Sequence, residues 1–157
     1  MKTQIHHRFA SGLPSDDTHP YRTGPWRPQC TEYDAWDLEV EGRVPEDLNG
    51  VYIRNTENPT LPPIARYHPF DGDGMLHSIV FQAGEATYRN RFIRTEGFLA
   101  EQAARESLWS GIIEDPNAAR RPGGWGARTR MKDASSTDVV IHRGVAISSF
   151  WQCGDLY

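Results

Sequence analysis

Cysteine is scarce in this chain. Cys30 and Cys153 are the two thiols among 157 residues. Two thiols cannot build a disulfide framework or a cysteine-rich zinc site, and their scarcity points to a reducing, cytoplasmic setting. Long apolar runs are lacking too. No window approaches the length of a membrane span, and the opening MKTQIHHRFASG has no apolar stretch of the signal-peptide kind. Positive charge is not in excess: 17 Lys and Arg face 21 Asp and Glu, a net charge of −4. That balance argues against a nucleic-acid or anionic-membrane partner. The local exception, Arg120 to Lys132, has five basic and no acidic residues and reads as a solvated loop. Two catalytic signatures are also missing. No nucleophile elbow accompanies a Ser-His-Asp set. RPGGWGAR, Arg121 to Arg128, lacks the Lys-Ser/Thr ending of a phosphate loop.

Turn formers are abundant, with 11 prolines and 14 glycines, which favours β structure over a helical bundle. The apolar fraction of 38% suffices for one modest core. Residues 1–30, with Pro14, Pro20, Pro25 and Pro28, read as a polar, poorly ordered N-terminal arm. Leu38 and Val40 alternate with Glu39 and Glu41, which predicts a half-buried strand. VYIRN (Val51 to Asn55), MLHSIVF (Met75 to Phe81) and EATYRNRFIRT (Glu85 to Thr95) read as further strands, the last two joined at Gly84. Glu101 and Arg105, four apart with the acid first, support a helix from about Leu99 to Trp109. TDVVIHRGVAISSFW predicts a hairpin turning at Arg143-Gly144.

YHPFDGDGMLHSIVF, residues 67–81, concentrates two histidines, two aspartates and two glycines. A calcium loop of the EF-hand type does not fit, because Met75 and Gln82 fall at ligand positions. His68, Asp71 and His77 form an alternative metal set if the turn folds them together. The residue types are met more simply by a sharp bend, in which glycines take φ > 0 and aspartates bind turn N–H groups.

Four ordered segments, covering about residues 36–157, resemble the carotenoid cleavage oxygenases. WDLEVEGRVPEDLNGVYIRNTENP is similar to the family's opening, HPFDGDGMLHSIVF to its F-D-G-D-G-M-V-H motif, ATYRNRFIRTEGF to its Y-x-N-R-x-x-x-T segment, and SSTDVVIHRGVAISSFWQCGDLY to its N-T-N-V-x-x-H-x-G strand pair. The resemblance implies an all-β fold with one short helix, the N-terminal part of a seven-bladed β-propeller. Residues 31–157 would supply the first blade region and a helical insert. It also implies Fe(II), held by four histidines and activating dioxygen to cleave a C=C bond of a carotenoid, apocarotenoid or stilbene.

None of the six histidines here matches an iron ligand of the family. The expectation is therefore a chain truncated before the iron site, inactive alone and binding no cofactor stably. By resemblance Thr137 adjoins the iron site. The family's W-E-G-G glutamate, which steadies an iron-binding histidine, falls at Gln152 in one alignment and at Trp151 in another. Ile113 and Phe150 stand where stilbene-cleaving relatives place a Tyr and a Lys. A blade buries its faces against neighbouring blades, so exposed faces and strand edges are expected to give marginal folding or self-association. The alternative is a non-catalytic assembly or apolar-ligand β domain.

Overall fold

Two tight turns organise most of the strands. Ala83-Gly84 and Arg143-Gly144 each have both central residues at positive φ, the twist that lets two antiparallel strands close over a two-residue loop. The first joins β4 (Asp73–Gln82) to β5 (Glu85–Phe92); the second joins β6 (Asp138–His142) to β7 (Val145–Ser149). The structure, a computed structural model, describes residues 1–125 and 130–157. With β1 (Lys2–Arg8), β2 (Thr31–Trp36) and β3 (Gly50–Asn58), the first hairpin forms an antiparallel sheet ordered β1-β2-β5-β4-β3. The β6–β7 pair is a separate small sheet. The fold is thus all-β with a single helix, α1 (Glu96–Ala104), among the described residues.

Several expectations change. Residues 2–8 are not loose: they pair along β2. Phe9, which follows, explains why, since its ring packs edge-on to Phe92 and Phe98 at 5.1 and 5.2 Å, under the Arg94 guanidinium. One aromatic anchor ties the arm to the core, and Pro20–Arg22 and Gly24–Trp26 form short 3-10 turns beyond it. The strand expected at Leu38 and Val40 lies earlier, at Thr31–Trp36. Asp37 takes a left-handed φ of 52° and turns the chain out of the sheet, leaving Val40 exposed.

The helix starts three residues before the expected position. Thr95 caps it, its hydroxyl accepting from the Phe98 N–H at 3.0 Å, and Glu96 sits in the first turn where the helix dipole favours an acid. It ends at Arg105, which is left-handed and so cannot make the helical pair with Glu101 that the spacing suggested. One core cluster joins Met75, Phe92 and Phe98, the two rings stacked at 4.9 Å. A second joins Met131, Ala134 and Phe150.

Burial predicts which helix residues matter. Phe98 is 1% exposed and its neighbour Leu99 is 51% exposed. Phe98→Ala should lower stability by about 3–5 kcal/mol, whereas Leu99→Ala should stay within about 0.5 kcal/mol. Urea denaturation of the two variants checks this; equal losses would mean that the helix docks by another face.

Candidate functional site

The Asp-Gly-Asp-Gly segment sits where three parts of the chain meet. Pro69–Asp71 forms a 3-10 turn capped by His68, whose Nδ1 accepts from the Phe70 N–H. Asp71 completes that turn by accepting from the His68 N–H at 2.9 Å, and its other oxygen accepts from the Ile112 N–H at 2.7 Å. The first aspartate therefore stitches the bend to the loop after α1, as the turn reading anticipated. The glycines act differently from that reading. Gly72 has φ −70° and Gly74 is not at positive φ. Their role is close approach: a Cβ on Gly72 would meet the backbone of Glu57 and Asn58, and one on Gly74 the carbonyls of Ala134 and Ser135. Gly74 uses that closeness, donating its N–H to the Ala134 carbonyl at 2.8 Å.

Asp73, the second aspartate, opens β4 and is buried. Lys132 Nζ lies 2.9 Å from Asp73 Oδ1 and 2.7 Å from Glu101 Oε2. Burial pulls the ammonium toward neutrality, but the two carboxylates outweigh it and hold Lys132 charged above the ordinary lysine range. Burial pushes the Asp73 carboxyl up, against the pull of Lys132. Glu101 also accepts from the Leu108 N–H at 2.8 Å. The solvated-loop reading of Arg120 to Lys132 fails at its far end: Arg120 is exposed and pairs with the exposed Glu106 at 2.6 Å, but Lys132 is interior. Residues 126–129, including part of RPGGWGAR, lie outside the described residues. A cavity of about 40 Å³ beside the triad, lined by Tyr67, Phe70, Trp109 and Phe150 among others, has room for a water or two.

His77 lies apart from His68 and Asp71 in its bonding. Thr56 Oγ1 donates to the Met75 carbonyl (3.1 Å), so it accepts from His77 Nε2–H at 3.1 Å. Nδ1 is then the acceptor for the Tyr88 hydroxyl at 2.6 Å. The neutral imidazole is thus locked on both nitrogens, and burial, helped by Arg54, pulls its pKa to about 4. Among the described residues no group of three or more His, Cys, Asp or Glu is arranged to hold a metal ion. The set His68, Asp71 and His77 is not brought together as a metal cradle, because each member is already committed to a neighbour.

Thr137 and Gln152 sit at one end of the β6–β7 hairpin. Thr137 donates its N–H to the Ser149 carbonyl at 3.1 Å, and its hydroxyl accepts from the Trp151 N–H at 3.1 Å. That latch holds the chain at the residue before Gln152, whose side-chain carbonyl is buried without a hydrogen-bond donor among the described residues. Trp151 is half exposed and Phe150 is buried. Sequence reasoning missed the salt-bridged Glu32. It accepts from the Phe92 N–H and, through both oxygens, from Arg94 at 2.7 and 2.8 Å. Burial opposes its charge, but Arg94 and the Phe92 amide hold its pKa below the usual range. Its signal was a glutamate at an inward position of a strand.

The sheet, its glycine-permitted bend and its side hairpin define a piece of β-propeller architecture. The family described as retinal pigment epithelial membrane protein matches residues 26–157. Isoeugenol monooxygenase of Pseudomonas nitroreducens is 32% identical over 82% of this chain and 26% of its own length. Apocarotenoid-15,15'-oxygenase of Synechocystis is 33% identical over the same shares. The cobalt-substituted apocarotenoid oxygenase of Synechocystis superposes with a TM-score of 0.63 at 31% identity, over 79% of this chain and 26% of that one. The lignostilbene dioxygenase of Pseudomonas brassicacearum, at 24% identity and TM-score 0.67, covers 90% of this chain and 27% of that one and supports the fold. The chain belongs to the carotenoid cleavage oxygenase family and spans about a quarter of the length of these relatives.

Two predictions follow from the buried groups. Lys132→Met strands two interior carboxylates and should cost about 3–5 kcal/mol. Adding Asp73→Asn and Glu101→Gln should restore much of the loss, read by chemical denaturation; equal stability of single and triple variants would contradict the triad. For His77, the unfolded chain takes up a proton near its ordinary value of 6.5 while the folded chain resists until about 4. Stability should therefore fall as pH drops through that window. His77→Gln should remove up to one proton's worth of that slope, measured as denaturation midpoint against pH.

Proposed function

We propose that this chain supplies the opening sheets of an oxygenase that cleaves a C=C bond in a carotenoid, apocarotenoid or related polyene. The carrying observation is the family match over residues 26–157, joined to a spatial arrangement in which the family-like segment is wholly engaged in holding the fold. The family reaction calls for Fe(II), which supplies dioxygen activation when bound. The described residues do not fit it: both ring nitrogens of His77 are taken by Thr56 and Tyr88, and His68 caps a turn. No step of such a reaction is assigned to these residues. The iron ligands come from outside these 157 residues, and the chain alone is inactive.

What the chain does provide is placement. Thr137 latches the strand end that carries Gln152, the two residues that by resemblance adjoin the iron site. Gln152 would present a neutral acceptor where relatives carry an acid, so its hold on a ligand imidazole would be weaker than a carboxylate's. The half-exposed Phe70 and Trp151 rings, in edge contact at 6.5 Å, give the neighbouring surface an apolar character suited to a polyene. No described helix is long and apolar enough to cross a membrane.

The test is direct. The purified chain is loaded anaerobically with Fe(II), desalted, and analysed for metal and for aldehyde products from an apocarotenoid. The expected outcome is less than stoichiometric iron and no cleavage. Stoichiometric iron that disappears in His68→Ala, or cleavage by the isolated chain, would overturn the proposal.

A further inference from the structure

The chain has five asparagines: Asn49, Asn55, Asn58, Asn90 and Asn117. An asparagine can modify itself. The backbone nitrogen of the next residue attacks the side-chain carbon Cγ, and a five-membered succinimide ring closes as ammonia leaves. Solvent water then opens the ring at either carbonyl, giving aspartate or its β-linked isomer, isoaspartate. Nothing is oxidised or reduced. Three conditions govern the step. The neighbour must carry a backbone N–H, its side chain must not crowd the ring, and the nitrogen and the side chain must be free to meet.

Four of the five asparagines fail. Asn58 precedes Pro59, which has no N–H. Asn90 is 1% exposed and held at both ends: Oδ1 accepts from the Tyr33 N–H at 2.8 Å and Nδ2 donates to the Thr31 carbonyl at 3.0 Å. Asn55 Nδ2 donates to the Ser135 carbonyl at 2.7 Å, and its neighbour is the β-branched Thr56. Asn117 is exposed, but the Ala118 nitrogen that would attack it donates to the Asp115 carbonyl at 2.9 Å within the Pro116–Ala118 turn.

Asn49 meets all three conditions. Its neighbour Gly50 has no side chain, and its φ of 149° is one that glycine adopts freely. A Cβ built on Gly50 would meet nothing within 4 Å, so the surroundings leave room for the ring. The Asn49 side chain is exposed and loosely held. Nδ2 donates to the Glu46 and Asp47 carbonyls at 3.4 and 3.3 Å, and Oδ1 accepts from the Ala83 N–H at 3.3 Å, all longer than a strong bond of this type. Gly50, opposite Phe81, is also the last pair of the β3–β4 ladder, and element ends open at little cost.

We infer that Asn49-Gly50 is a self-modification site, where the folded chain converts an amide to aspartate and isoaspartate. The product carries one more negative charge than the chain's −4. It also loses both Nδ2 donations to Glu46 and Asp47, and the isoaspartate form adds a backbone carbon just before β3. The turn that enters the strand is therefore loosened.

Peptide mapping by mass spectrometry tests this on the full, unmodified chain kept folded in mildly alkaline buffer and sampled over weeks. The expected result is amide-to-acid mass gain at position 49, as a mixture of aspartate and isoaspartate, with Asn55, Asn90 and Asn117 unchanged. The rate at Asn49 should lie within about tenfold of that in the urea-unfolded chain, as a loosely held strand end requires. Asn49→Gln, whose ring would be one atom larger, should abolish the product. An intact Asn49, faster conversion at another asparagine, or acid at 49 without isoaspartate would overturn the inference. So would a folded rate more than about tenfold below the unfolded one. No iron or substrate enters the experiment, so its outcome is independent of the oxygenase reading.

Discussion

The buried cation Lys132, set between Asp73 and Glu101, is the constraint on which the rest of the structure depends. Its three members come from the start of β4, from the helix, and from the segment leading to β6. An ammonium taken out of water is costly unless opposite charge meets it at hydrogen-bond distance. The three segments must therefore arrive together or not at all. Once they do, Asp73 lies opposite Asn58 in the ladder, and Gly74 is close enough to the Ala134 carbonyl to bond it. The end of the β3–β4 ladder and the approach of the C-terminal segment thus meet at one ionic contact.

The same physics recurs throughout a chain whose mean hydropathy, −0.65, is polar for a folded domain. Interior carboxylates here serve as acceptors for backbone N–H groups that the sheet ladders leave unpaired. Glu32 takes the Phe92 amide, Asp71 the Ile112 amide, Asp133 those of Ser135 and Asp155, and Glu114 those of Ala65, Arg66 and Gly111. Loops rich in proline and glycine have many such orphan donors, and an unmet buried donor costs more than a bond gains. Acidic side chains do in the loops what neighbouring strands do in the sheet. The apolar clusters around Phe98 and Phe150 can then stay small.

The parts of this arrangement legible in the sequence were those with local causes. Both hairpins announced themselves through a residue-glycine pair between alternating runs, and Asp71 of the bend through its fitness for turn N–H groups. The start of the helix and the position of β2 were misjudged because their determinants are a cap at Thr95 and a left-handed Asp37, each a single residue against a pattern several residues long. β1 was missed because its placement depends on Phe9 reaching Phe92 and Phe98, far along the chain. Lys132 was hidden for the same reason. Among basic neighbours it looked like part of a solvated stretch, and no local signal shows that two acids from distant segments will close around it. Glu101 was assigned to Arg105 by spacing, but a buried partner outcompetes an exposed one across a helix turn, whose worth is a few tenths of a kcal/mol.

The Asp-Gly-Asp-Gly segment is engaged in holding the scaffold, and the reason is geometric. Two glycines admit backbone where a Cβ would collide; one aspartate closes the bend and the other receives the buried lysine. Each of these residues is fixed by contacts within the scaffold. His77 makes the point most sharply. It has the right side chain for iron, yet the direction of the Thr56 hydroxyl, set by the Met75 carbonyl, dictates its tautomer, and Tyr88 occupies the remaining nitrogen. A histidine bound at both nitrogens is a structural crosslink between strands. At the end of the β6–β7 hairpin, by contrast, Thr137 steadies the chain beside Gln152, whose side-chain carbonyl is buried without a hydrogen-bond donor among the described residues.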